Sequence, residues 1–125
     1  MTWGEVFQGG TKKGAHPHVV VTANAFRDAK KVVLCPLSGE SGHGVARLYR
    51  LLAEEPVLTK TCYPRPDELK SVPRSDLKKS SKFQSRGELG AANAATLRSL
   101  LRDYLGLSEL PVDDAHERAK QVRPS

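Results

Sequence analysis

The sequence predicts a mainly β protein, a small barrel or curled sheet with one amphipathic helix packed on it at the end. Three observations carry that expectation. Short runs of β-branched and aromatic residues, bounded by glycine and proline, fill the first half of the chain. The only long helical periodicity comes late, from Ala91 to Leu105. Strands first and a helix last suit a sheet covered by that helix.

The chain has 125 residues, enough for one domain with a real core. Its apolar content of 38% implies a compact domain plus polar loops or a tail. The formal net charge is +6 and points to an anionic partner, nucleic acid first. No apolar run approaches the roughly 18 residues that span a bilayer, and MTWGEVFQGG lacks the layout of a signal peptide. These features place the protein in the cytoplasm. Cys35 and Cys62 are far apart in apolar settings and read as small buried hydrophobes. With four scattered histidines they give no metal-ligand spacing.

Trp3 to Phe7 is a short strand, with Trp3, Glu5 and Phe7 on one face. Gly9, Gly10 and Gly14 bracket Thr11, Lys12 and Lys13 in a basic loop, which suits either close approach to a ligand or a solvated hairpin turn. It lacks the spacing of a nucleotide-binding P-loop. His16-Pro17-His18 leads into a central strand, Val19 to Thr22. Asn24 to Asp28 is a turn. Lys31 to Leu37 is a second apolar strand that delivers Ser38 to the glycine-rich GESGHG loop. There the hydroxyl suits either a site or an ordinary loop.

Val45 to Glu55 is ambiguous, because Leu48, Leu51 and Leu52 have helical spacing in a short segment after glycines. Val57 to Tyr63 is strand-like. From Lys60 to Lys79, Pro64, Pro66 and Pro73 confine the chain to an edge or bulge. Arg65 and Asp67 share one face of an extended chain. They suit a surface ion pair or a site that grips an anion while moving a proton. Ser75 to Glu88 reads as a charged loop in which Lys78, Lys79, Lys82 and Arg86 surround Phe83. Such a loop suits a phosphate backbone and a stacked base, or plain solvation around one anchoring ring.

In the helix, Leu97, Leu100, Leu101, Tyr104 and Leu105 line one face. Gly106 is a natural residue to follow its C-cap, with Leu107 supplying the apolar contact. Ser108 to Ser125 is polar and reads as a disordered or loosely docked tail.

The order of short motifs resembles the MazF/PemK family of toxin endoribonucleases. The pieces are Gly4-Glu5-Val6, His16-Pro17 before a valine strand, and Pro36-Leu37-Ser38. They continue with Asp67-Glu68-Leu69-Lys70-Ser71-Val72, then Gly87-Glu88-Leu89 and a helix closing in Leu105-Gly106-Leu107. The resemblance covers about residues 3–107, giving a domain over 1–107 and a tail over 108–125. It implies an SH3-like barrel, usually a homodimer, that cuts single-stranded RNA without a metal or other cofactor. In that chemistry the ribose 2′-OH attacks the adjacent phosphate. It needs a base, an acid and cations for the developing charge. A cognate antitoxin with an acidic segment is the implied partner.

Carried over by position, His16 stands where the family usually has a catalytic arginine. Ser38 matches the hydroxyl residue at the mouth, and Arg65 with Asp67 a basic–acidic pair. The resemblance assigns His16 proton transfer, Ser38 phosphate positioning, Asp67 the second proton transfer and Arg65 charge stabilisation. Lys12, Lys13, Lys82 and Arg86 are the expected RNA contacts. Histidine is a competent acid or base but a poorer permanent cation than arginine. The alternative is therefore a catalytically silent barrel that binds RNA or a protein. A third option is the same fold poisoning a protein target such as a gyrase.

Overall fold

The computed structural model describes residues 2–9, 16–40, 47–78 and 83–107. Six strands form one antiparallel sheet: β1 (Glu5–Gly9), β2 (Pro17–Val20), β3 (Lys31–Ser38), β4 (Tyr63–Pro64), β5 (Lys70–Pro73) and β6 (Phe83–Glu88). Among the described residues two α-helices complete it, the single-turn α1 (Arg74–Leu77) and the long α2 (Ala91–Tyr104). The strand order is β4-β3-β2-β1-β6, and β5 pairs with β3 off that path. The expected mainly β fold with a C-terminal helix is the fold found. Among the described residues no helix is long and apolar enough to cross a membrane.

β3 is the hub. One edge takes β2, with Val19 opposite Cys35 and Val20 opposite Leu34. The other edge is shared by β5 along its first half and β4 at its end. The prolines fit this plan, since Pro64 and Pro73 lie in strands that pair only with β3 and need no second ladder.

Side-chain alternation sends Val6, Val19, Cys35 and Leu37 to one face, where Leu97 and Leu100 of α2 cover them. Phe7, Val20, Val32 and Leu34 go to the other, plugged by Leu77 of α1 and flanked by Phe83. Because both faces are buried, β2 and β3 read as unbroken apolar runs in the sequence. Each fully buried leucine or valine contributes roughly 1.5–3 kcal/mol.

Two expectations change here. Trp3 precedes β1 and does not share a face with Phe7. The chain turns at Gly4 (φ +86°), whose N–H bonds the Val20 carbonyl at 2.8 Å. This turn swings Trp3 to the α2 side, where the Arg98 guanidinium lies 4.3 Å from its ring centroid. The charged loop expected over Ser75 to Glu88 instead contains the end of α1 and all of β6, with Lys79 to Lys82 outside the described residues. β6 pairs with β1 as an edge strand and has one apolar side chain, so it lacks the alternation that marks a strand.

The segment Val45 to Glu55, ambiguous in sequence, starts its described part with a 3₁₀ turn at Arg47–Leu48 and is otherwise extended rather than α-helical. Leu51 and Cys62 exchange both backbone hydrogen bonds, at 2.8 and 2.9 Å, and Glu54 and Leu58 do the same at 2.9 Å. Only Leu51 of the three leucines is buried, while Leu48 and Leu52 face outward. The strand expected over Val57 to Tyr63 is broken by a bend at Thr59–Lys60.

This 51–62 ribbon is fastened to α2. The Glu54 carboxylate accepts the Gly90 N–H at 2.9 and 3.0 Å, at the positive end of the helix dipole. Asn93, 7% exposed, accepts the Leu52 N–H at 2.9 Å through Oδ1. Its Nδ2 donates to the Leu52 carbonyl at 2.9 Å and to Glu54 Oε1 at 2.7 Å. A side chain at Gly90 would place its Cβ 2.7 Å from Glu54 Oε2, so any other residue there must push the carboxylate aside.

At the other end of α2 the Leu107 N–H bonds the Arg102 carbonyl and the Gly106 N–H the Asp103 carbonyl, at 2.7 and 3.2 Å. With Gly106 at φ +72° this is a Schellman ending. The apolar stripe fades there. Tyr104 and Leu105 are about half exposed, and Leu107 is 69% exposed, so it does not supply the buried contact expected of it.

Two stability predictions follow from these contacts. Asn93→Ala strands the Leu52 N–H and carbonyl and should lower unfolding free energy by about 2–3 kcal/mol in urea titration. An unchanged midpoint would show that water replaces the amide.

His18 gives the second. Its ring meets Phe83 edge-on at 6.4 Å, and its buried Nδ1 has no hydrogen-bond partner among the described residues. Burial, with the Lys70 charge adding to it, lowers its pKa from 6.5 to about 4. The buried ring is therefore neutral. Its contribution is complete above pH 6.5 and is lost as pH falls toward 4, because the unfolded chain takes up the proton first. With the ring's partial exposure allowed for, the loss is on the order of 1–2 kcal/mol. His18→Gln should flatten the drop in melting temperature between pH 7 and 4.5 relative to the wild type. Parallel curves would locate the acid sensitivity elsewhere.

Candidate active site

Where β1 and β3 end and β2 begins, the 51–62 ribbon folds over the sheet and leaves a cleft of about 220 Å³. Leu37, Leu58 and Cys62 give it an apolar floor. Gln8, His16, Thr59, Lys60 and Arg86 give it polar walls. Three of those five are basic, and none of the described residues lining it is acidic. A concave site with an apolar floor and convergent cations suits an anionic ligand.

His16 is held by its successor. Pro17 opens β2 opposite Gln8 of β1, and its fixed φ turns the chain into the strand with His16 at the cleft. His18, two residues on, lies on the opposite face of the sheet beside Phe83. His16 still acts on His18, through its backbone and its charge.

Arg86 reaches the cleft through a β-bulge. Val6 pairs with Gly87 and Phe7 with Ser85, so Arg86 stands between two pairs with no partner of its own. Bulges re-aim side chains in this way. Gly87 takes up the positive φ of +105° that the bulge needs, and Arg86 Nε donates to the Pro56 carbonyl at 3.3 Å. Lys60 lies over Gly39, where an added Cβ would stand 3.1 Å from Nζ. The bare glycine backbone lets the lysine fold across the end of β3.

The remaining expected residues fall elsewhere. Ser38 lies between two cleft-lining residues, Leu37 and Gly39, but does not line the cleft itself. Its Oγ accepts the Glu40 N–H at 3.2 Å. Arg65 and Asp67 lie beyond the other edge of β3, where the Arg65 N–H bonds the Pro36 carbonyl at 2.8 Å and Nη2 bonds the Glu40 carbonyl at 2.6 Å. Asp67 is exposed in the 3₁₀ turn Pro66–Glu68. The backbones of β2 and β4 are two strand spacings apart, roughly 10 Å. The structure therefore brings His16 and Arg86 together and leaves Ser38, Arg65 and Asp67 outside the cleft lining. Lys12, Lys13 and Lys82 lie outside the described residues.

Gln8, Thr59 and Lys60 are additions that the sequence reading did not single out. Lys60 had one usable signal, a lone basic residue within an apolar stretch. Both cysteines are buried, and burial pushes the Cys35 thiol up to about 12 and the Cys62 thiol up to about 11. They are therefore inert small hydrophobes, as expected, although Cys62 lies in the cleft floor. Among the described residues no cluster of three or more His, Cys, Asp or Glu could hold a metal.

If the cleft is the anion site, Lys60→Ala and Arg86→Ala should each weaken binding of a short single-stranded oligonucleotide. Each should also reduce the slope of log affinity against log salt by about 0.7. An unchanged slope in both variants would place the anion contacts elsewhere.

No family model and no curated protein sequence matches this chain. Solved structures do. An endoribonuclease in complex with its cognate antitoxin, from a Mycobacterial species, is 21% identical with a TM-score of 0.59, over 85% of this chain and 93% of that one. A MazE–MazF complex from Deinococcus radiodurans is 16% identical with a TM-score of 0.61, over 86% and 97%. The Mycobacterium tuberculosis toxin MazF-mt6 is 17% identical with a TM-score of 0.57, over 83% and 98%. At these identities the likeness shows the fold. This chain has the fold of the MazF toxins, in line with the resemblance noted in its motifs.

Proposed function

We propose that this protein is an endoribonuclease toxin of the MazF type that cuts single-stranded RNA. The observation that carries the reading is the cleft in which His16 stands with Lys60 and Arg86 over an apolar floor. The shared fold with proteins named as endoribonucleases supports it.

The chemistry we assign is attack of the ribose 2′-OH on the adjacent phosphate. It breaks the bond to the 5′-oxygen and leaves a 2′,3′-cyclic phosphate. It needs no water in the first step and no metal, provided that cations meet the charge on the phosphate. His16 moves a proton, as base toward the 2′-OH or as acid toward the leaving oxygen. Lys60 and Arg86 supply the permanent positive charge that a histidine at position 16 does not. A reacting phosphate seated over Gly39, at the edge of the cleft, has His16, Lys60 and Arg86 on one side and Ser38, Arg65 and Asp67 on the other. In this reading Ser38 positions phosphate, Arg65 stabilises charge and Asp67 is the second proton-transfer group. Residues 1–107 form the nuclease domain, acting as a cytoplasmic homodimer with a cognate antitoxin as partner. The relatives solved as complexes with an antitoxin support that last assignment.

The test is incubation of the protein with mixed-sequence single-stranded RNA in EDTA, with cyclic-phosphate ends scored from mildly acid to mildly basic pH. The expected result is discrete cyclic-phosphate fragments, reduced 10²-fold or more by His16→Ala and also reduced by Asp67→Ala. Cleavage that survives His16→Ala would remove that residue from the chemistry. RNA that is bound but intact at every pH would leave the silent-barrel reading standing.

A further inference from the structure

A second concavity lies on the outer side of the ribbon, away from the cleft. Leu51 and Cys62 point inward, and their neighbours Leu52 and Tyr63 point outward into a shallow groove of about 390 Å³. Arg47, Leu48, Arg50 and Thr96 of α2 complete its lining. Leu48 is 78% exposed and Leu52 53%. Two leucines and a tyrosine ring flanked by two arginines form an apolar strip with a positive border. Water is a poor cover for such a strip.

The groove is tied to the end of α2. The Tyr49 hydroxyl donates to Asp103 Oδ2 at 2.5 Å, which holds the 47–52 segment against the last turn of the helix. The chain leaves that turn through Gly106 and Leu107 and continues as SELPVDDAHE. Four acids, Glu109, Asp113, Asp114 and Glu117, fall within nine residues there, with Leu110 and Val112 among them. From Thr96 to Tyr104, the last residue of the helix, is eight residues, roughly 12 Å, and three more residues reach Leu107. Residues 108–117 extended span roughly 33 Å, so reach is no obstacle.

We propose that residues 109–117 of the same chain lie in this groove. Leu110 and Val112 cover Leu48, Leu52 and Tyr63, and the Asp113 and Asp114 carboxylates meet Arg47 and Arg50. The tail carries its apolar pair, Leu110 and Val112, next to its acidic pair, Asp113 and Asp114, which matches an apolar strip with a positive border, and the groove lies within its reach. Covering the two leucines also keeps the strip from joining molecules together. The inference is independent of the nuclease reading.

The full chain tests it. A nitroxide is attached at Ala115→Cys. Cys35 and Cys62 are buried, so the introduced thiol takes the label. Methyl signals of Leu48 and Leu52 should lose most of their intensity while the label is oxidised and recover when it is reduced. Leu34 in the far core should be unaffected and reports an intact fold. The loss should shrink in 1 M salt, where screening falls to about 3 Å. It should vanish in Arg47→Glu/Arg50→Glu and return when Asp113→Arg/Asp114→Arg is added. Full Leu48 and Leu52 intensity in the wild type would overturn the proposal. So would a loss that survives the arginine reversal, or one that appears only between labelled and isotope-enriched chains mixed together.

Discussion

The cleft depends on a polar clamp that lies outside it. Glu54 and Asn93 hold the 51–62 ribbon to the start of α2, and that ribbon supplies Leu58, Thr59, Lys60 and Cys62 to the cleft. Beside the clamp the ribbon has two isolated pairs of backbone bonds, the Arg86–Pro56 hydrogen bond and three buried side chains, Leu51, Leu58 and Cys62. Charge-assisted hydrogen bonds of this kind contribute about 1.5–3 kcal/mol each. They also fix an angle, because Asn93 takes both backbone groups of Leu52 in one fork.

Much of the fold was legible because burial leaves patterns. β2 and β3 are sandwiched between two cores and read as apolar runs. α2 announced itself through Leu97 and Leu100 and through Gly106 after its cap. Where burial is one-sided or slight, the pattern failed. β6 has Phe83 and little else, and its place in the sheet comes from backbone pairing with β1, which leaves no mark on side-chain choice. In the ribbon, the spacing of Leu48, Leu51 and Leu52 imitates a helix because two of the three are outward. Their exposure belongs to a groove and not to the core.

The cleft was harder to read than the fold. His16 stood out because it breaks a motif position, and Arg86 because it sits in a basic cluster. Lys60 was hidden at the start of a stretch dominated by prolines and by the Arg65–Asp67 pair. The cleft draws on β1, the lead into β2, the end of β3, the ribbon and β6, and no spacing rule connects five such segments. A cation can change its place in the sequence while keeping its place in space, so a motif position that has lost its arginine says little by itself about the field at the site.

The bulge in β6 shows how such a shift arises. Val6 and Phe7 pair with residues that are one step out of phase, and Arg86 is the surplus residue. Removing it would bring Ser85 and Gly87 into register and leave an unbroken ladder with no guanidinium at the cleft. A positive charge at this site is therefore gained or lost by a single codon insertion or deletion. Substitution alone, which conserves chain length, would keep the kink in the strand and change only what projects from it.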